Sequence, residues 1–348
     1  MHNRNNKLFL LKFLEENKIN FQTNVELKKK SWLKAGGTFE TYIQPNTYSQ
    51  VLSILHYLKK ISLNFYVVGN LSNVIFRDGI IRTPIINIKN IHYIETQEEK
   101  NSVLIKTGCG VSIFKFVNYI CNKLNITGLE GLIGIPGSIG GAIVMNASSY
   151  NSYISEYLME IKIINEKNEK EIIKKKDLEL DWRSSIFLKR KKIVIIEAVF
   201  EFPKKNLITQ SLMEHNINKI KHHRKTFQEK YLPNLGSLFA TKNLYKDISK
   251  SSLIFKTMYI VNRIVTKLIL KFFHEYHLVK YRKISVKIYS YFLGIESNSP
   301  FKLSDRTINC LTNNGSSQAN KAIDIIRKIQ KNINYAQKLE NIIIDKIN

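Results

Sequence analysis

The chain of 348 residues contains few cysteines, few acidic residues and no long apolar run. Its three cysteines, Cys109, Cys121 and Cys310, lie too far apart for a disulfide framework or a metal site. No apolar run reaches the length that spans a bilayer, and the N-terminal residues lack the apolar core of a signal peptide. We therefore expect a cytoplasmic protein without a bound metal.

Acidic residues are outnumbered, with 28 Asp and Glu against 54 Lys and Arg, for a formal net charge of +26. Such a charge is typical of proteins that bind nucleic acid, anionic membranes or acidic ligands. The basic residues are scattered, however, and runs such as Lys174–Lys176 have no aromatic residues interleaved with them. The chain is also rich in Ile and Asn, which A/T-rich codons supply together with Lys. We expect a solvated basic surface and no nucleic-acid partner.

Glycine is scarce as well, but its distribution is uneven. Six of the 15 glycines fall in residues 128–146, GLEGLIGIPGSIGGAIVMN. Glycine lets a backbone approach a ligand closely, and successive exposed N–H groups form a concave anion site. Tight turns between buried strands are the alternative, which so many glycines among Ile, Val and Met fit poorly. The segment predicts a phosphate-bearing ligand held against an apolar floor.

The hydrophobic periodicity predicts an α+β fold. Helices are expected at 7–18, from Thr47 to Leu58, after Ser112, and at 205–225, 252–273 and 319–338. Strands are expected at 65–68, 85–88, 103–107, 193–202 and 339–344, and around Ile161 and Ile172 as a hairpin. No strand–GxGxxG–helix unit is present, so a Rossmann dinucleotide site is not expected.

Residues 252–273 combine an apolar helix face with a basic one. Ile254, Met258, Val261, Val265, Leu268 and Phe272 share one face, and Lys256, Arg263, Lys267 and Lys271 lie on the other. A helix that packs into the core is the favoured interpretation. A basic amphipathic helix lying on a membrane is the less favoured alternative.

Three segments together resemble the UDP-N-acetylenolpyruvoylglucosamine reductase family, the flavoenzymes of peptidoglycan precursor synthesis. The first comprises Trp32–Gly37, the turn Val68-Gly-Asn-Leu-Ser-Asn73 and Arg77–Gly79. The second is the glycine-rich segment, and the third is Trp182-Arg-Ser-Ser-Ile-Phe187. Residues 25–202 match the family in order and spacing, whereas the chain from Pro203 onward matches only in fragments.

The resemblance implies a split FAD-binding domain of the vanillyl-alcohol-oxidase (PCMH) type and a separate α+β substrate domain. We expect an N-terminal helical segment at 1–24, the FAD-binding domain at 25–203 and the substrate domain at 204–348, with a divergent insertion at 245–305. Non-covalent FAD is implied, contacted by Gly69, Asn70, Ser72, Asn73, Gly134, Ile135, Pro136, Gly137, Ser138, Gly140, Gly141 and Asn146.

The resemblance also implies hydride transfer from NADPH to the flavin, and then from flavin N5 to the enolpyruvyl group of a UDP-sugar. The product would be UDP-N-acetylmuramate, and we expect a monomer. Ser237 in Gly236-Ser-Leu-Phe239 corresponds to the serine that protonates the enol intermediate. Arg183 would stabilise the developing negative charge.

Several positions depart from the family pattern. The family ends in Leu-Glu-x-Glu-Val, with a catalytic second glutamate, where this chain has Leu339-Glu-Asn-Ile-Ile343. Glu340 matches the first glutamate, and Ile342 occupies the catalytic position. In a regular strand these residues share a face about 6.6 Å apart, so Glu340 reaches the site only if the strand slips or bends. Leu71 also replaces a glycine, and Ala240 replaces a lysine.

Two interpretations follow from this pattern. The first is an active reductase that uses Arg183, Ser237 and Glu340. The second is an FAD-binding paralogue that has lost this reaction and has another substrate or no catalytic role.

Overall fold

The computed structural model describes residues 2–190, 192–273, 275–334 and 337–344. Its helices are α1 (His2–Glu16), α2 (Leu27–Lys30), α3 (Tyr48–Lys60), α4 (Ile113–Asn118), α5 (Ile139–Val144), α6 (Gln210–Phe227), α7 (Leu244–Ile248), α8 (Leu253–Phe272), α9 (Glu275–Phe292) and α10 (Ala319–Asn332).

The strands are distributed along the same residues. They are β1 (Phe21–Glu26), β2 (Thr38–Ile43), β3 (Tyr66–Val68), β4 (Val74–Phe76), β5 (Ile80–Ile81), β6 (Ile85–Asn87), β7 (Ile94–Glu98), β8 (Ser102–Gly108), β9 (Ser148–Ser149), β10 (Ser152–Tyr153), β11 (Leu158–Ile164), β12 (Lys170–Lys174), β13 (Val194–Pro203), β14 (Asn234–Ser237), β15 (Phe301–Ser304), β16 (Thr307–Asn313) and β17 (Ile342–Ile344). This mixture confirms the predicted α+β class.

Three sheets organise the fold. The first has the order β1-β2-β6-β3, with β5 beside β2, and apart from the antiparallel β1–β2 pair its neighbours are parallel. The second is antiparallel, in the order β12-β11-β13-β8-β7, and it contains the predicted hairpin. The third is β14-β16-β15. Separately, β17 pairs in parallel with β4 and so joins the end of the chain to its first quarter.

Each sheet has its own apolar core. The largest core packs α1, α3, α4 and α5 against the second sheet. Another core lies under the third sheet and takes residues from α9 and α10, and the smallest belongs to the first sheet. None of the helices in the described ranges has the length and apolar content required to cross a membrane.

Capping residues in the sequence predicted the first residues of helices better than periodicity predicted their last residues. The hydroxyls of Thr47 and Ser112 accept hydrogen bonds from the backbone N–H groups of Gln50 and Lys115, as N-caps do. The 205–225 helix begins later and ends later than expected, and the last helix ends at Asn332. Part of the expected 319–338 range, residues 335 and 336, lies outside the described residues.

Two structural predictions were wrong. The glycine-rich segment 128–146, which its glycine content predicts to be a loop, contains α5, which begins after the cap Ser138. The core-packing prediction for 252–273 also fails, because Phe255 is the residue of α8 that is buried, and Ile254, Val261, Leu268 and Phe272 are exposed. Periodicity identified an apolar face there but could not show that it faces solvent.

Asp78 lies between β4 and β5 and forms hydrogen bonds to the first residues of α10. Its carboxylate accepts hydrogen bonds from the backbone N–H groups of Ala319 (2.7 Å) and Asn320 (3.0 Å), the first two residues of the helix. A negative charge at a helix N-terminus is stabilising, and it satisfies donors that the helix itself leaves unpaired. This side chain therefore supplies a cap from a distant part of the chain.

We predict that Asp78→Ala lowers the free energy of unfolding by about 1–2 kcal/mol, the usual cost of a lost cap. Chemical denaturation monitored by circular dichroism measures the change. Asp305→Ala is the matched control, because Asp305 forms an exposed ion pair with Lys283 at 2.9 Å and its loss should cost less than about 1 kcal/mol. Equal effects in the two variants would contradict the capping role.

Candidate active site

The turn 69–73 and the glycine-rich segment contact each other directly. The amide Nδ2 of Asn70 donates to the carbonyl oxygen of Gly137 at 2.8 Å, and the hydroxyl of Ser72 donates to that of Pro136 at 3.0 Å. Gly69 lies so close to Ser138 that a Cβ atom at residue 69 would be 2.1 Å from its Oγ. The structure therefore brings together the two segments in which the sequence places the cofactor residues.

Leu71 keeps the backbone conformation that the family's glycine would permit. Its φ is +51°, in the left-handed region, and its side chain is 4% exposed. A left-handed conformation costs a non-glycine residue roughly 1–2 kcal/mol. Burial of the leucine side chain within the core of the first sheet offsets this cost. The substitution therefore leaves the turn intact.

The polar groups of this region fit a phosphate-bearing cofactor. Among the described residues, the backbone N–H groups of Asn70, Leu71, Ser72 and Gly137 have no hydrogen-bond acceptor. The Oδ1 atom of Asn146 is buried without a partner in the described ranges, while its Nδ2 donates to the carbonyl of Asp181. Clustered N–H donors beside glycines are suited to the pyrophosphate of FAD.

Arg183 and Glu340 form an ion pair next to this region. Arg183 Nε lies 2.6 Å from Glu340 Oε1, and the two side chains are 16% and 18% exposed. The guanidinium also donates to the hydroxyl (3.1 Å) and carbonyl (2.9 Å) oxygens of Ser148, which fixes its orientation. Burial raises the pKa of the Glu340 carboxyl above its ordinary value, and the charge of Arg183 opposes this shift.

Glu340 reaches Arg183 because the backbone bends before the last strand. β17 begins only at Ile342, and the N–H of Glu340 donates to the carbonyl of Leu238 at 2.8 Å. The strand expected at 339–344 is therefore shorter than expected, and the bend before it is the condition under which the sequence predicted that Glu340 could reach the site. Glu340 is mostly buried against Arg183, whereas Ile342 is 36% exposed.

Ser237 directly precedes the residue that binds the backbone of Glu340. It is the exposed last residue of β14, and the next residue, Leu238, provides the carbonyl that anchors Glu340. The backbones of 238–240 and 338–340 run antiparallel, since the N–H of Ala240 donates to the carbonyl of Lys338 at 2.9 Å. Three pieces of chain that are at least about 50 residues apart in the sequence thus place Arg183, Ser237 and Glu340 in one region.

Two of the expected cofactor residues have other contacts in the structure. The amide of Asn73 donates to the carbonyl of Glu340 and accepts from Asn341, both at 2.8 Å. Gly140 is buried in α5, where a Cβ would lie 3.2 Å from Cys109 Cβ. In this structure Asn73 holds the C-terminal segment in place, and Gly140 permits close packing of a helix.

Sequence reasoning missed two polar residues that support the site. Asn341 is buried, and its amide also donates to the carbonyl of Leu235 at 3.3 Å. Arg224 in α6 donates to the carbonyl of Gly131 (2.8 Å) and to the hydroxyl of Ser149 (2.9 Å), and burial lowers the pKa of its guanidinium. No spacing signal marks either residue, because their partners are distant in sequence.

These features define a flavoprotein of the split FAD-binding class. A family model described as an FAD binding domain matches residues 39–170. The chain is 31% identical over 220 residues to the UDP-N-acetylenolpyruvoylglucosamine reductase of Clostridium novyi (strain NT), covering 63% of this chain and 68% of that one. For the enzyme of the same name from Clostridium tetani (strain Massachusetts / E88), the identity is 33%, with 63% and 69% covered. The chain belongs to the UDP-N-acetylenolpyruvoylglucosamine reductase family, a family of oxidoreductases.

The likeness of fold extends beyond the residues aligned by sequence. The crystal structure of the UDP-N-acetylenolpyruvylglucosamine reductase from Thermus caldophilus superposes with a TM-score of 0.63 at 17% identity. The match covers 93% of this chain and 98% of that chain. The C-terminal part of the chain therefore shares the family fold despite its divergent sequence.

We predict that Gly69→Ala weakens FAD binding by at least about tenfold, because the added methyl group would displace Ser138 from the turn. Titration of flavin-free protein with FAD, followed by flavin fluorescence, measures the dissociation constant. Gly294→Ala is the control, since a Cβ there would meet open space; its positive φ (+68°) adds backbone strain, so it separates strain in a turn from the steric clash expected at Gly69. Unchanged affinity in Gly69→Ala would place the FAD site elsewhere.

Proposed function

We propose that the protein is a cytoplasmic, NADPH-dependent flavoenzyme that reduces UDP-N-acetylglucosamine enolpyruvate to UDP-N-acetylmuramate in peptidoglycan precursor synthesis. The observation that carries this proposal is the buried Arg183–Glu340 pair, located beside both the turn 69–73 and the segment of Ser237. Membership of the reductase family supports the reaction class.

The roles of the protein groups follow from their chemistry. FAD supplies hydride transfer when it is bound, and the protein binds and orients the reactants. The Arg183 guanidinium is suited to bind the substrate carboxylate and to stabilise the negative charge that develops on it. Glu340 holds this guanidinium, and burial raises the pKa of its carboxyl, the direction that favours its acting as a proton donor. The Ser237 hydroxyl delivers the proton to the substrate carbon.

The proposed domain division is the one that the sequence predicts, and the cores cross it: Met213 and Ile217 belong to the largest core, and Leu33 and Ile75 belong to the core of the third sheet. We assign residues 25–203 to the FAD-binding domain and 204–348 to the substrate domain, with 245–305 as a divergent insertion. The N-terminal helical segment 1–24 packs against the FAD-binding domain, because Leu10 and Leu14 belong to its largest core. The proposed enzyme is a monomer with a UDP-sugar substrate.

We predict that Glu340→Gln slows transfer from reduced flavin to the enolpyruvyl substrate by on the order of 10²–10⁴-fold, the usual effect of removing an acid–base group. Reduction of the flavin by NADPH should be unchanged. Stopped-flow absorbance of the two half-reactions measures both rates.

The variant Ile342→Glu tests whether the functional carboxyl belongs at residue 340 or at residue 342. Because Ile342 is partly exposed and Glu340 already occupies the place beside Arg183, the added carboxyl should leave both rates unchanged. A faster second half-reaction in Ile342→Glu, or rescue of Glu340→Gln by it, would show that residue 342 is the functional position.

We predict that Ser237→Ala retains flavin reduction by NADPH but slows the second half-reaction by on the order of 10²-fold or more. The methyl group cannot deliver the proton that completes the reduction. Ser316→Ala, in another loop of the substrate domain, is the control. Equal slowing of both half-reactions in Ser237→Ala would assign the serine to flavin binding or to structure.

Failure of the wild-type protein in the second half-reaction alone would favour the other candidate, an FAD-binding paralogue that has lost this reaction. The departures at Leu71, Ala240 and Ile342 are the observations that favour it. Normal flavin reduction by NADPH, with no transfer to the enolpyruvyl sugar, is the result that distinguishes it from the proposed reductase.

A further inference from the structure

The hairpin of α8 and α9 presents an apolar surface that the described part of the chain leaves exposed. On the inner side of α8, Phe255 packs against Tyr289 and Phe292 of α9, with ring centroids 6.0 and 6.4 Å apart. On its outer side, apolar residues recur at helical spacing and stay exposed: Leu253, Ile254, Ile260, Val261, Ile264, Leu268 and Phe272. This set is called the outer stripe.

The outer stripe has a basic border. At 100° per residue, Lys256, Arg263 and Lys267 fall on one edge of the helix, next to Ile260 and Ile264. α8 contains no acidic residue, and its four basic residues form no ion pair within the described part of the chain. The border therefore carries uncompensated positive charge along a helix about 30 Å long.

α9 adds the same kind of residues to the hairpin. Ile284 and Ile288 are exposed beside Lys280 and Lys287, one helical turn or less away. Among the described residues of α9, Lys283 forms an ion pair with Asp305, whereas Lys280 and Lys287 form none. Both helices thus combine exposed aliphatic side chains with cationic ones.

We propose that this hairpin binds the protein to the surface of an anionic lipid membrane, with α8 lying in the interface. A helix with an apolar face and flanking Lys and Arg inserts the apolar residues between headgroups and pairs its charges with anionic lipids. The charge complementarity selects this occupant. A second copy of the chain, docked stripe to stripe, would bring two basic borders together with no acidic residue on α8 to neutralise them.

This binding is separate from the flavin chemistry. α8 packs mainly against α7 and α9, and none of the residues assigned to FAD or substrate lies on it. Variants in the outer stripe should therefore keep their FAD content and their thermal unfolding temperature, which serve as the controls for folding.

The test is co-sedimentation of the purified full chain with vesicles. Wild type should bind vesicles containing phosphatidylglycerol, bind pure phosphatidylcholine much more weakly, and dissociate as salt is raised. Replacing Lys256, Arg263 and Lys267 by Gln should weaken binding to anionic vesicles by about 100-fold. The matched control replaces the exposed Lys174, Lys175 and Lys176 by Gln, which removes the same charge from another surface.

A second pair of matched variants tests how much the apolar residues contribute to vesicle binding. Leu268→Ser in the outer stripe should reduce vesicle binding by roughly tenfold. Leu212→Ser in α6 should not, although Leu212 and Leu268 are equally exposed, at 49%.

Three results would overturn the proposal. The first is a wild type that does not bind anionic vesicles. The second is equal loss of binding in the two lysine series, which would reflect overall charge alone. The third is a concentration-dependent dimer in sedimentation equilibrium that Leu268→Ser abolishes while vesicle binding persists, since the stripe would then be a contact between copies.

Discussion

The pairing of the C-terminal segment with the turn 69–73 is the constraint on which the site depends. Asn73 makes three hydrogen bonds to the C-terminal segment. Its side-chain amide donates to the carbonyl of Glu340 and accepts from Asn341, and its backbone carbonyl accepts from the N–H of Ile342 at 2.9 Å. These part-buried hydrogen bonds favour one backbone arrangement, because breaking them would leave polar groups unpaired. Through this arrangement Glu340 reaches Arg183, and the segment of Ser237 is held alongside.

The same constraint couples the cofactor region to the substrate region. The turn whose N–H groups we propose as donors for FAD is also the turn that holds Glu340. Asp78, a few residues further on, caps α10 of the C-terminal part. Because both connections start within ten residues of Asn70, a change in the turn would reach the carboxylate as well as the cofactor. Leu71 keeps a left-handed backbone in the turn, and Ile342 keeps the pairing of β17 with β4, so the departures at these positions leave the local backbone in place.

Local residue patterns predicted much of the fold and the pieces of the site. Glycine spacing identified the two segments that meet at Asn70 and Gly137, and the caps Thr47 and Ser112 marked real helix starts. The Arg183–Glu340 pair could not be derived in the same way. It depends on a bend before β17 that is created by hydrogen bonds to residues far away in the sequence. Similarly, periodicity in 252–273 could not distinguish a buried apolar face from the exposed one that the structure shows.

The central claim is that a complete reductase site survives in this divergent chain, with Glu340 as its carboxylate. The most direct measurement is a single turnover without oxygen: the protein is reduced with one equivalent of NADPH and then mixed with UDP-N-acetylglucosamine enolpyruvate. The account predicts that the absorbance of oxidised flavin returns and that UDP-N-acetylmuramate forms in equal amount. Flavin that stays reduced in the presence of the substrate would contradict the account.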